Sequence, residues 1–125
     1  MLFDTDVLIR VFRGNRKAAG MIESSDDRSV SLVNIMELLQ VARDKAEQKL
    51  IKSFLADYSF RVFPLTENTG HRAMIYVEEY SLKSGMYMAD ALIAATAVEN
   101  NATLCTANKK HYRSIAELDL KTFRP

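Results

Sequence analysis

The sequence predicts an α/β protein with a mostly parallel central sheet of four to five strands, flanked by helices on both sides. Short apolar runs alternate along the chain with longer segments whose apolar residues recur at helical spacing. Glycine and proline are scarce, at four and two residues, so no linker interrupts this alternation. A chain of 125 residues has the length of one domain, and we expect residues 1–125 to form a single unit.

The first half of the chain is expected to contain three strands and four helices. The apolar patterns place strands at 2–3, 29–33 and 60–65, and helices at about 7–12, 17–24, 34–43 and 46–58. Gly14-Asn15 ends the first helix. Pro64 favours an edge position or a strand end for the third strand, because proline cannot donate to a strand ladder.

The second half predicts two longer helices followed by the last strands. Helices are expected at 66–82 and 88–99, a fourth strand at 103–105, and an optional fifth at 118–123. Ser84-Gly85 breaks the first of these helices, and Asn100-Asn101 stops the second.

Composition excludes some classes of protein and leaves others open. The chain has 17 basic and 16 acidic residues, and this balance neither announces nor excludes a nucleic-acid partner. Its one cysteine, Cys105, is expected to be a buried, unreactive thiol. No apolar run approaches the roughly 20 residues of a membrane span, and the first residues do not resemble a signal peptide. We therefore expect a cytoplasmic protein that does not contact membranes.

Three acids are expected at one edge of the sheet, because strand carboxyl ends and helix amino ends meet there. They are Asp4 after the first strand, Glu37 after the second, and Asp90 at the start of the 88–99 helix. The helical neighbours of Asp90 are apolar, so its carboxylate faces inward and needs a partner. Carboxylate oxygens suit Mg²⁺ or Mn²⁺, which makes a shared metal ion one such partner.

Each acid also has a purely structural interpretation. Asp4 and Asp6 are suitable helix-capping acids. Asn34 and Glu37 have the spacing of a capping box, in which Glu37 reaches back to the Asn34 amide. Asp90 is equally suited to the first turn of its own helix. The two histidines, at 71 and 111, are expected to be surface or structural residues.

Four motifs in order resemble those of PIN-domain ribonucleases of the VapC toxin type, and together they cover nearly the whole chain. The first is Leu2-Phe3-Asp4-Thr5-Asp6-Val7-Leu8-Ile9, and the second is Ser31-x-x-Asn34-x-x-Glu37-Leu38. The third is Ala89-Asp90-Ala91-Leu92-Ile93-Ala94-Ala95-Thr96-Ala97, and the fourth is Leu104-x-Thr106-x-Asn108-x-x-His111-Tyr112.

The resemblance implies a PIN-like fold whose catalytic site includes Asp4, Glu37 and Asp90 as metal ligands. Thr106 would hydrogen-bond to this cluster. Asn108 stands where the family often has aspartate, which leaves tight binding of a second metal ion open. Asp6 stands where asparagine is common, and this extra carboxylate would either compensate in part or only orient the turn.

By the same resemblance, the protein would be a toxin that hydrolyses RNA through one or two Mg²⁺ or Mn²⁺ ions and metal-activated water. The products would carry a 3′-hydroxyl and a 5′-phosphate, and the target would be a tRNA, rRNA or mRNA. A VapB-like antitoxin would hold it inactive, and a homodimer is expected. The residues themselves add two basic sets beside the acids, with Arg10 and Arg13 in one and Lys109 and Lys110 in the other. These would bind the RNA backbone, and the alternative for each residue is an ordinary solvated surface.

Two alternatives remain at the level of sequence. Asp4-x-Asp6 after an apolar strand also resembles the nucleophile motif of haloacid-dehalogenase-type phosphatases, in which the first aspartate attacks phosphorus. That family needs a later acidic pair, and Asp26-Asp27 comes too early to be it. The second alternative is a PIN-like module that binds RNA or protein with little catalysis, which the neutral side chain of Asn108 favours.

Overall fold

The computed structural model describes residues 1–125 and contains one sheet of five parallel strands. The strands are β1 (Leu2–Phe3), β2 (Ser29–Ser31), β3 (Arg61–Phe63), β4 (Leu104–Thr106) and β5 (Leu120–Thr122). They lie in the order β3-β2-β1-β4-β5, and every neighbouring pair is parallel. The predicted α/β class and the predicted number of strands are therefore confirmed.

Seven helices connect the strands. They are α1 (Thr5–Phe12), α2 (Arg16–Ser24), α3 (Leu32–Val41), α4 (Lys45–Asp57), α5 (Glu67–Ser84), α6 (Met88–Glu99) and α7 (Lys109–Tyr112). Helix α7 was not predicted, because a helix of four residues is too short to give an apolar period. None of the seven combines the length and the apolar character that a membrane crossing requires.

The sheet separates two apolar cores. Along the central strands, successive side chains point to opposite faces. Leu2 and Leu104 belong to the core formed with α5 and α6, whereas Phe3 and Cys105 belong to the core formed with α1, α2 and α4. The predicted helices on both sides of the sheet are confirmed. Burial raises the pKa of the Cys105 thiol to about 11, in agreement with the expected unreactive cysteine.

Two predictions about the second and third strands have different outcomes. Strand β2 ends at Ser31, not at residue 33, because the Ser31 hydroxyl accepts the Asn34 N–H and begins α3. The Asn34 side-chain oxygen in turn accepts the Ser31 N–H, so the capping box joins Ser31 and Asn34. The box predicted between Asn34 and Glu37 is therefore wrong. Strand β3 lies at the edge of the sheet, as Pro64 indicated.

The order of the strands reverses between β1 and β4. From β1 the chain adds β2 and β3 in one direction, and then crosses back to place β4 on the other side of β1. Helices leave two such strands in opposite directions, so a crevice opens at their carboxyl ends. The Asp4 N–H donates to the Cys105 carbonyl at 2.9 Å, which fixes the residue after β1 beside the end of β4.

Candidate functional site

Asp4 is a nearly buried carboxylate at this crevice, with a relative exposure of 6%. Its Oδ1 accepts the N–H of Thr5 at 2.8 Å, and its Oδ2 accepts the hydroxyls of Thr106 at 2.8 Å and Tyr112 at 3.0 Å. Burial, and secondly the negative charge of Asp6, raises the pKa of Asp4 to about 7. Asp4 is the N-cap of α1, in agreement with its structural interpretation, but it also has two buried hydroxyl partners from distant parts of the chain.

Tyr112 connects Asp4 to Asp90. Its hydroxyl lies 3.0 Å from Asp4 Oδ2 and 3.3 Å from Asp90 Oδ1. Burial, together with the charges of Asp4 and Asp90, raises the pKa of Tyr112, so the hydroxyl stays protonated and donates. No role was predicted for Tyr112 from the sequence. The available signal was its position one helical turn after Asn108, at the end of the fourth motif.

Asp90 lies in the first turn of α6, and its side chain is 19% exposed. The second oxygen, Oδ2, is 3.7 Å from His111 Nδ1. His111 was expected at the surface or in a structural role, whereas the structure places it at the rim of the acidic site. His71 does lie on the exposed side of α5, where it pairs with Glu67 at 3.6 Å.

Glu37 is held by a short relay of hydrogen bonds. The Asn34 side-chain amide donates to the Thr5 hydroxyl at 3.0 Å, and this hydroxyl donates to Glu37 Oε1 at 2.6 Å. Asn34 is completely buried, and Ser31 fixes its other end. Glu37 is therefore not a capping residue, and its direction is fixed by Thr5, which was not predicted as a site residue.

Asp6 faces the end of β4. Its Oδ2 accepts the N–H of Ala107 and the side-chain amide of Asn108, each at 3.1 Å, and lies 3.5 Å from the Thr106 hydroxyl. Its Oδ1 is buried and has no hydrogen-bond partner. Burial raises the pKa of Asp6. Asn108 therefore contacts Asp6, and no hydrogen bond joins it to Asp4, Glu37 or Asp90.

Shared hydroxyls thus link the carboxylates of Asp4, Asp6 and Asp90, whereas Glu37 is joined to this region through Thr5, the residue after Asp4. Their oxygens are the donors that hard divalent cations prefer. No group of three or more acidic, histidine or cysteine side chains has a preformed metal-coordination geometry. Instead, the hydroxyl of Thr106 lies between Asp4 and Asp6, and that of Tyr112 lies between Asp4 and Asp90.

Basic side chains lie next to the acids on two sides. Arg10 and Arg13 line an open cleft of about 480 Å³ that begins at Asp6. The Nε of Arg10 is buried and has no hydrogen-bond partner. Lys109 and Lys110 are exposed in α7, directly after Asn108. Arg10 and Arg13 therefore share a cleft with Asp6, and Lys109 and Lys110 follow the residue that bonds to Asp6, while their role in RNA binding stays a prediction.

The stability of the metal-free protein is expected to fall as pH rises, because of Asp4. Its pKa is about 7 in the native state against an ordinary value of 3.8, so native protein binds more protons than unfolded protein between these values. The contribution is fully present below about pH 4 and is lost as pH approaches 7. Urea denaturation in EDTA across this range measures the loss of unfolding free energy. The loss should be smaller in Asp4→Asn than in the wild type and unchanged in Asp26→Asn. Equal profiles for the wild type and Asp4→Asn would contradict the prediction.

Comparison with known proteins gives a consistent result along the chain. The model of the PIN domain matches residues 1–118. Ribonuclease VapC10 of Mycobacterium tuberculosis is 34% identical over 122 residues, which cover 94% of this chain and 90% of that protein.

Solved structures agree with the sequence relatives. A toxin-antitoxin complex from Klebsiella pneumoniae superposes with a TM-score of 0.81 at 27% identity, over 97% of this chain and 95% of that one. VapBC2 from Rickettsia felis, bound to a promoter DNA fragment, has a TM-score of 0.82 at 20% identity over 98% of both chains, and so shares the fold. The phosphatase alternative finds no support among these relatives. From its site geometry, its fold and these matches, the chain belongs to the PIN-domain family and to the VapC-type proteins within it.

Proposed function

We propose that this protein is a Mg²⁺- or Mn²⁺-dependent endoribonuclease, the cytoplasmic toxin of a type II toxin–antitoxin pair. Cleavage of a tRNA, rRNA or mRNA would inhibit translation and growth. The observation that carries the proposal is the buried Asp4 carboxylate, which is linked to Asp90 through Tyr112 and lies at the crevice of a VapC-type sheet. The name of the relative VapC10, a ribonuclease, supports the same activity.

The acids suit a divalent cation because carboxylate oxygens are its preferred ligands and because no cationic side chain forms a hydrogen bond to them. Burial, and secondly the negative charge of Asp6, raises the pKa of Asp4 to about 7, and Asp6 Oδ1 has no hydrogen-bond partner. Asp4, Glu37 and Asp90 are the residues that would hold one or two ions. When bound, such an ion would lower the pKa of an attacking water and polarise the scissile phosphate.

Two threonines position the proposed ligands. Thr106 donates to Asp4, and Thr5 donates to Glu37, so each carboxylate is held by a buried hydroxyl. Hydrogen bonds of this kind keep metal ligands oriented before the substrate arrives. Thr106 thereby joins the catalytic site as a positioning residue, and Asn108 does so through its contact with Asp6.

Cations beside the acids would hold the RNA. Each phosphate carries a negative charge that the carboxylates repel, so binding requires nearby lysine or arginine side chains. Lys109 and Lys110 would meet the backbone on one side of the scissile bond, and Arg10 and Arg13 on the other.

An apolar groove offers a surface for the antitoxin. Ile9, Phe12, Leu38, Val41, Leu50 and Ile51 from α1, α3 and α4 line a groove of about 320 Å³. Val41 and Leu50 are 55% and 65% exposed, which is costly for large apolar side chains without a partner. A segment of a VapB-like antitoxin would cover them, as the toxin–antitoxin assemblies named for the structural relatives support. A homodimer, in turn, would cover the apolar side chains that α5 exposes, such as Met74 and Ile75.

Cleavage of a structured RNA tests the nuclease activity. Asp4→Asn and Asp90→Asn should each lower the rate by more than about 100-fold in Mn²⁺, because even residues that only support a metal ligand are worth roughly 10- to 100-fold. EDTA should stop the wild type, and Asp26→Asn, which makes the same change at an exposed acid, should cleave normally. Equal cleavage by wild type and both site variants would mean contamination. RNA binding without cleavage would instead favour the binding module.

Charge reversal at α7 tests the RNA surface. Lys109→Glu together with Lys110→Glu should weaken RNA binding without lowering the melting temperature, because both side chains are exposed. The slope of log affinity against log salt should become shallower by about 0.7 for each phosphate that the variant no longer neutralises. Lys49→Glu with Lys52→Glu reverses two exposed charges on α4 and should have little effect. Wild-type affinity of the α7 variant at moderate salt would contradict the assignment.

Substitution in the groove tests the antitoxin surface. Leu50→Asp should abolish co-purification with the small antitoxin encoded beside the toxin gene, because a carboxylate in the apolar contact is desolvated without a partner. Leu82→Asp makes the same change at a side chain that is 97% exposed on α5, and it should leave the complex intact. A Leu50→Asp protein that still co-purifies would place the antitoxin elsewhere.

A further inference from the structure

Asp6 is fixed against the end of β4 by donors from two consecutive residues. The Ala107 N–H and the Asn108 side-chain amide each donate to Asp6 Oδ2 at 3.1 Å. A carboxylate from the first turn of α1 therefore reaches across to the strand on the other side of the crevice. These contacts exceed what a first-turn acid needs to favour its own helix N-terminus.

The other oxygen of Asp6 is buried without a donor. Oδ1 has no hydrogen-bond partner, although a buried polar atom left unpaired is costly. The basic side chain one turn along the same helix, Arg10, does not bond to it, and Arg10 Nε is itself without a partner. No hydrogen bond of normal geometry therefore reaches this oxygen, although the Val7 N–H and the charge of Arg10 stabilise the Asp6 carboxylate in part.

Asp6 belongs to the same cluster as Asp4. The Thr106 hydroxyl lies 2.8 Å from Asp4 Oδ2 and 3.5 Å from Asp6 Oδ2, so one side chain contacts both acids. We infer that Asp6 is the fourth carboxylate of the metal-binding site and that Asn108 is the amide that positions it. This inference rests on the proposed metal-dependent function and adds a ligand to that site.

The contact between Asp6 and Asn108 explains why residue 108 is an asparagine. An acid at both positions would place two negative charges 3.1 Å apart where an amide and a carboxylate now bond. Amides at both positions would remove the fourth carboxylate and leave only Asp4, Glu37 and Asp90 to attract a cation. One acid and one amide satisfy both requirements, and either position can carry the acid as long as the other carries the amide.

Exchange of the two side chains tests the inference through metal binding by the full chain. Calorimetric titration of Mn²⁺ into EDTA-treated, desalted protein should show an affinity roughly 10- to 100-fold weaker for Asp6→Asn than for wild type. The double variant Asp6→Asn, Asn108→Asp should recover most of that loss, because the charge returns to the neighbouring position. Asp26→Asn is the matched control and should bind as the wild type does. Melting temperatures in EDTA establish that each variant is folded.

Three results would overturn the inference. If Asp6→Asn binds Mn²⁺ with wild-type affinity while Asp4→Asn and Asp90→Asn bind weakly, Asp6 serves only α1, and the proposed metal site stands without it. If all three single variants bind as the wild type does, the metal site itself fails. A double variant as weak as Asp6→Asn would show that position 108 cannot carry the charge, and that Asn108 is not its exchange partner.

Discussion

Burial of the Asp4 carboxylate is the constraint around which the chain is arranged. Asp4 follows the short central strand β1, whose two residues lie inside opposite cores, so its position in the crevice is set by the sheet. A carboxylate that is 6% exposed needs donors, and Thr106 and Tyr112 supply them from positions about a hundred residues later in the chain. The packing of β4 and α7 beside β1 therefore also supplies the hydrogen-bond donors of Asp4.

The site is held by neutral donors in place of cations. Hydroxyls of Thr5, Thr106 and Tyr112 donate to Glu37, Asp4 and Asp90, while the basic residues remain at the border. Burial, and secondly the negative charge of Asp6, raises the pKa of Asp4 to about 7, and the neutral hydrogen bonds that orient this carboxylate offset the rise only in part. Accumulated negative charge of this kind is typical of sites that bind a cation or act on a charged substrate.

Different surfaces of the molecule suit different partners. Asp6, Arg10 and Arg13 line the open polar cleft, whereas the apolar groove lies among α1, α3 and α4. Helix α1 joins the two, because Asp6 and Arg10 face the cleft while Ile9 and Phe12 line the groove. A segment bound in the groove would thus contact α1, the helix whose N-cap is Asp4.

Local pattern was enough to give the α/β class, the two-sided helix layers and the positions of Asp4, Glu37 and Asp90 near one edge. Apolar periodicity reports which face of each element is buried, and parallel strands bring their carboxyl ends together. The strand limit at Ser31 and the short helix α7 could not be predicted in this way, because caps and single turns have no period. Nor could the partners of the acids: Asn34 bonds to Ser31 and Thr5 instead of Glu37, Tyr112 bridges Asp4 and Asp90, and Asn108 contacts Asp6. Most of those bonds join residues far apart in the chain at distances near 3 Å, so only the packing of the whole molecule decides them.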